Sequence, residues 1–185
     1  IITLPAFAGL QSTQSSVNAF PTSFRLNMVT DHTFLGLLDA MRQVAGNMGG
    51  AIKPNFKEGL PNLYCGVGSL YLGFLFLMSR GVKLRDKICA VALILFFNVS
   101  FLIRQLDYIW HGFHFPNQIP YRFSFLFSFV VVWMAYRAWL VRDEFKVWQL
   151  VTAGVLTLGV LACSAEVTKP LYLGFNLGAV VVTLG

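Results

Sequence analysis

Ile88-Cys89-Ala90-Val91-Ala92-Leu93-Ile94-Leu95-Phe96-Phe97-Asn98-Val99-Ser100-Phe101-Leu102-Ile103 is a run without a charged side chain, in which Asn98 and Ser100 are the polar members. Its apolar residues neither alternate nor keep to one helical face, so a helix built from it is hydrophobic on every side. Lipid solvates such a helix all round. Working outward, comparable runs fill 63–79, 123–140, 147–165 and 171–185, and 1–10 reads as the tail of an earlier one. Of all residues 56% are hydrophobic and 12% charged, against about 25% charged in soluble domains. The mean hydropathy is +0.66. The expected fold is all-α: a polytopic transmembrane helix bundle, one membrane domain over 1–185, with an amphipathic, partly irregular outer loop. Several runs are shorter than the roughly 20 residues of a full crossing, so flanking aromatic rings must complete the interfacial turns. Trp110, Trp133, Trp139 and Trp148 are suited to that place.

The connections set the orientation. Arg80, Lys83, Arg85 and Lys87 crowd one short loop, and Arg137, Arg142 and Lys146 lie at the next loop on the same side. The short 163–170 connection carries only Lys169 among basic residues. Positive charge collects on the cytoplasmic side, so the first two loops are expected there, with 11–62, 104–122 and 163–170 outside. The same rule accounts for the formal charge of +6, and nucleic acid is not needed as a partner. Cys65, Cys89 and Cys163 stand far apart without metal-type spacing and read as small packing residues. The opening Ile1-Ile2 and the stop at Gly185 inside an apolar run suggest an internal piece of a longer chain.

In the long 11–62 stretch, the segment 31–44 carries Phe34, Leu35, Leu37, Leu38 and Met41 with Asp39 and Arg42 between them. That pattern predicts an amphipathic helix lying on the membrane, with Asp31 as its cap and His32 beside it. Gly46, Gly49, Gly50, Pro54, Gly59 and Pro61 then break regular structure.

Chemistry concentrates in 104–122, where Arg104, Asp107, Trp110, His111, His114, Asn117, Tyr121 and Arg122 fall close together. Aromatic faces pack on sugar rings, Asn and His sort hydroxyl groups, and a guanidinium holds phosphate through paired hydrogen bonds. The set suits a lipid-linked sugar phosphate at the membrane surface. Arg122 and Arg104 are the candidates for carrier phosphate, and Trp110, His111, His114, Asn117 and Tyr121 for the sugar pocket. Asp107 is the candidate catalytic carboxylate. Each has a plainer alternative: local capping or pairing for Asp107, snorkelling for Arg122, belt anchoring for Trp110 and Tyr121. His111 and His114 at a spacing of three leave a divalent cation open, but a pair without a carboxylate motif identifies neither a metal nor any other cofactor. Apart from Arg137 near the end of 123–140, the runs contain no acid or base between their ends, which argues against a proton-coupled transporter.

The string Trp110-His111-Gly112-Phe113-His114-Phe115-Pro116-Asn117, followed by Pro120-Tyr121-Arg122-Phe123-Ser124-Phe125 and Phe127-Ser128-Phe129, resembles the YfhO family of bacterial membrane proteins. Pro61-Asn62-Leu63-Tyr64-Cys65-Gly66 resembles a second string of that family, and Leu4-Pro5, Gln11-Ser12 and Ser15-Ser16 are similar to the start of its outer loop. The resemblance implies a multi-pass glycosyltransferase of the GT-C type in the bacterial cell membrane. Such an enzyme takes a sugar from a polyprenyl-phosphate carrier on the outer leaflet and attaches it to a cell-surface polymer such as lipoteichoic acid. It also implies a catalytic acid in a first outer loop upstream of Ile1, which would leave 104–122 to bind donor or acceptor. The rival reading is a non-enzymatic membrane protein, a carrier-lipid flippase or assembly scaffold, for which Asn98, Ser124, Ser128 and Asn176 are the polar groups at depth.

Both readings share a topology that is open to direct measurement. With Asn117→Cys in the full chain, a membrane-impermeant maleimide is expected to label intact cells. Labelling only after permeabilisation would put the stretch in the cytosol.

Overall fold

The computed structural model describes residue 44 and residues 61–113 and 121–162, with the side chain of Arg104 excepted. Within them are five α-helices and one 3-10 turn. α1 spans Val67–Met78, α2 Leu84–Leu102, α3 Arg104–Trp110, α4 Ser124–Trp139 and α5 Val147–Ala162, with the 3-10 turn at Arg142–Glu144. The regular structure is helical, as the all-α reading expects. The predicted amphipathic helix over 31–44, except Val44, and the runs at 1–10 and 171–185 lie outside the described residues, as does the end of the 147–165 run.

Local chemistry sets the ends. Gly66 adopts φ 85, a left-handed value that glycine reaches at little cost, so α1 starts after it and not at residue 63. The backbone N–H groups of Cys65 and Gly66 both donate to the carbonyl of buried Val44, at 3.4 and 3.0 Å, which ties Val44 to this turn. α2 begins one turn before the uncharged run, so Arg85, Asp86 and Lys87 are helical. It ends where Ile103 turns extended, at φ −95 and ψ 116, and α3 continues beyond the break.

No described helix is long and apolar enough to cross a membrane. α1 has 12 residues, about 18 Å at 1.5 Å per residue, against a hydrocarbon core of about 30 Å. α2 has 19 residues, but its first turn is charged. These helices overlap the runs read as crossings over 63–79, 88–103, 123–140 and 147–165, with Gly66 starting α1 at residue 67 and the charged first turn of α2 lying outside its run.

The helices pack α1 on α4 and α5, α4 on α2, and α3 on α2. Tyr71, Leu75 and Phe76 of α1, Phe97 and Phe101 of α2, Phe127, Val131 and Met134 of α4, and Ala153 of α5 form one buried cluster. Phe76 meets Trp133 edge to face at 5.7 Å. Ala90, Ala135, Ala138 and Ala153 are all buried, and small residues let helix backbones approach closely. The outward faces are as apolar as the inward ones. Phe129 is 67% exposed, Phe125 64%, Ile88 59% and Leu95 58%, whereas Ser100 and Thr157 are fully buried.

Ser100 and Thr157 donate to the carbonyls of Phe96 and Ala153, each one turn back, so their hydroxyls are satisfied within their own helices. Between elements, polar ties gather at one end. Arg137 of α4 pairs with Asp86 of α2 at 3.0 Å, and Lys87 donates to the carbonyl of Ser79 at the close of α1. Buried Gln149 uses both halves of its amide: Oε1 accepts the Lys146 N–H at 2.9 Å and Nε2 donates to the Met78 carbonyl at 2.8 Å. The first bond is half of a capping box for α5, and the second satisfies a terminal carbonyl of α1. The two basic connections thus meet at the same end of the bundle.

Gln149→Leu keeps the size and removes both bonds. It is expected to lower stability by about 1–3 kcal/mol, the cost of leaving buried backbone groups unsatisfied, read as a lower melting temperature of the full chain in detergent. An unchanged melting temperature would show that the bridge contributes nothing.

Candidate functional site

The opposite end of the bundle is built around α3. The seven residues of α3 stop in a Schellman closure. The N–H of Phe113 donates to the Tyr108 carbonyl at 3.0 Å, and the N–H of Gly112 to the Ile109 carbonyl at 3.1 Å. Gly112 takes the required left-handed conformation at φ 71, and Phe113 follows it at φ 63. The Phe113 ring meets Tyr108 edge to face at 6.1 Å, the apolar contact that commonly accompanies this closure. The Trp110-His111-Gly112-Phe113 string is therefore first a helix stop, and 104–122 opens as a helix where the sequence reading expects a loop.

Aromatic rings fix α3 against its neighbours. Trp110 stacks on Phe123 at 4.9 Å and 15°, and Phe123 stacks on Phe101 at 5.2 Å and 17°. Phe96 and Phe97 close on Trp110 at 6.1 and 6.0 Å. Tyr121 is buried, edge-on to Phe101 at 5.9 Å, and it too has a left-handed backbone, φ 62. A non-glycine residue there costs about 1–2 kcal/mol, which surrounding packing must offset. Tyr121 accordingly serves the packing of the site, whereas Trp110 stacks on Phe123 and stays 38% exposed.

Asp107 and His111 face each other one turn apart on α3. Asp107 Oδ1 lies 3.2 Å from His111 Nδ1, both side chains being about 95% buried. The same Nδ1 lies 2.8 Å from the Asp107 backbone carbonyl. A carbonyl only accepts, so Nδ1 carries the proton and the lone pair of the neutral ring is on Nε2. Burial alone pulls the His111 pKa down, but the hydrogen bonds to Asp107 and its charge outweigh burial and the opposing charge of Arg122, leaving it raised above its ordinary value. Burial, helped by the Asp107 charge, raises the Tyr121 pKa and keeps its hydroxyl protonated.

Five of the predicted site residues, Asp107, Trp110, His111, Tyr121 and Arg122, thus come together around the end of α3. His114, Asn117 and the Arg104 side chain lie outside the described residues. Sequence reasoning missed Phe101 and Phe123, the rings that hold this end together, because in an aromatic-rich run nothing marks one ring above another. The described residues hold no group of three or more His, Cys, Asp or Glu able to bind a metal ion.

Gly112→Ala places a side chain at φ 71 and should cost about 1 kcal/mol. A lower melting temperature of the full chain is the expected reading, and an unaffected one would refute the closure.

The family described as "Bacterial membrane protein YfhO" matches residues 1–181. No curated protein and no solved structure matches the chain. With nearly its whole length inside that match and its outward faces apolar, the chain belongs to the YfhO family of bacterial membrane proteins.

Proposed function

We propose that this chain is part of a multi-pass membrane glycosyltransferase that moves a sugar from a polyprenyl-phosphate carrier to a cell-surface polymer, such as lipoteichoic acid, on the outer face. The helices lie among lipids, with polar and aromatic flanks completing each passage, and 104–122 faces outward. The observation that carries the reading is the buried Asp107–His111 pair with Arg122 close enough for its charge to act on the imidazole.

In this reading Asp107 orients His111, and His111 is the general base. Nε2 takes the proton of an acceptor hydroxyl, the hydroxyl oxygen bonds to the anomeric carbon, and the bond from that carbon to the phosphate oxygen breaks. The carrier phosphate leaves with its electron pair, and Arg122 stabilises the charge. The proton on Nε2 passes to water. Arg104, His114 and Asn117 complete the donor pocket, with Trp110 and Tyr121 as its packed wall.

A flippase needs a polar path at membrane depth. Among the described residues, Ser100 and Thr157 are spent on their own helices, and Asn98, whose Nδ2 turns back to the Ile94 carbonyl at 2.8 Å, keeps a buried Oδ1 without a hydrogen-bond partner, one isolated polar atom and not a continuous path. This favours the transferase.

The test is purified full-length protein with radiolabelled polyprenyl-phosphate sugar and polymer acceptor. Product formation is expected; transbilayer movement of the donor without transfer would select the flippase. Arg122→Ala should lower transfer roughly 100- to 1000-fold, the usual loss when one charge-stabilising donor is removed, and wild-type transfer would exclude its phosphate role. The base works when neutral and its pKa is raised, so transfer should rise with pH through a midpoint above 6.5. Asp107→Asn removes the raising charge and should move that midpoint down; an unmoved midpoint would remove His111 as the base.

A further inference from the structure

The end of the bundle away from the Asp107–His111 pair carries a second polar feature. The turn after α1 and the start of α5 enclose a small open groove lined by Arg80, Glu144, Lys146, Trp148 and Gln149. Cations converge on it from two connections that are remote in sequence. Several neighbouring charges are already engaged: Asp86 with Arg137, Lys87 with the Ser79 carbonyl, and Arg142 over the Trp139 ring at 5.0 Å. Arg80, Lys83 and Lys146 make no ion pair among the described residues. Glu144 also lines the groove, and its carboxylate sits over Gly81, where a Cβ would run into it. Gln149 is fixed by its two hydrogen bonds and forms a rigid wall.

The same end is ringed by exposed Tyr136, Trp139 and Trp148. Amphipathic rings of this kind settle at the level of lipid headgroups. A guanidinium and an ammonium at that depth match a phosphodiester, and basic pockets between helices bind anionic headgroups. We propose that this groove holds the phosphodiester of an anionic glycerophospholipid between Arg80 and Lys146, with Glu144 opposing it. The assignment rests on the membrane-embedded reading above, and it is independent of sugar transfer.

The experiment is a titration of the purified full chain in neutral detergent with dihexanoyl phosphatidylglycerol, dihexanoyl phosphatidylcholine and inorganic phosphate, followed by melting temperature and native mass spectrometry. The glycerol lipid is expected to bind and to raise the melting temperature, while choline lipid and phosphate do neither. Arg80→Gln and Lys146→Gln should each weaken binding about five-fold, and together roughly 30-fold. Should the double variant fail to fold, Glu144→Gln carries the test, since removing the opposing charge should tighten binding. Equal binding of the choline lipid, an equal effect of free phosphate, or indifference to all three substitutions would overturn the proposal. Alkaline extraction of native membranes separates the two readings: release of the chain sinks the membrane-embedded reading itself, whereas retention with no lipid preference sinks only the groove.

Discussion

The constraint behind this structure is solvation of the outward helix faces. A bundle in water buries apolar side chains and exposes polar ones, because each buried methylene is worth close to a kilocalorie per mole. Here Phe125, Phe129, Ile88 and Leu95 point outward while Ser100, Thr157 and Gln149 are buried. Water does not tolerate that arrangement, and a bilayer does. Once lipid is the solvent, burying apolar surface no longer drives helices together, since acyl chains solvate leucine as well as another leucine does. Association then depends on close van der Waals contact, through buried alanines and interlocked rings, and on a few polar bonds between elements.

Those bonds are unevenly distributed. At the basic end, Asp86–Arg137, Lys87 to Ser79 and the Gln149 amide join four helices, α1, α2, α4 and α5, near their termini. Two of them, Lys87 to the Ser79 carbonyl and Gln149 to the Met78 carbonyl, satisfy carbonyls at the close of α1 that have no partner within the helix. At the other end, the stacked column of Phe101, Phe123 and Trp110 performs the same task without charge. One end is pinned by hydrogen bonds and ion pairs, the other by aromatic faces, and the Asp107–His111 pair sits within the second.

The helical class, the grouping of the basic connections and the cluster of polar residues around Asp107, His111 and Arg122 were legible in the residues alone. Uncharged runs and local crowding are sequence-local signals. The helix limits were less so. Gly66 interrupts a run whose hydropathy shows no interruption, because a backbone dihedral angle decides that point. The helical character of α3 was hidden by its aromatic and polar composition, which resembles a connector. Gln149 gave no signal at all: its value depends on Met78, seventy-one residues away, and no local pattern reports such a partner. The pairing of Asp107 with His111 likewise needed coordinates, since spacing alone does not place the two side chains against each other.

The brevity of α3 carries a consequence for assembly. A seven-residue helix does not persist by itself, because nucleation consumes most of what its few internal bonds return. It persists here because Trp110 is clamped against Phe123, which stands at the threshold of α4. The imidazole therefore acquires its orientation only after α3 has docked against the start of α4. The Asp107–His111 pairing is thus a property of the docked elements and is absent from the nascent segment, so a lesion that loosens the docking disperses the pair while most of the helical content survives.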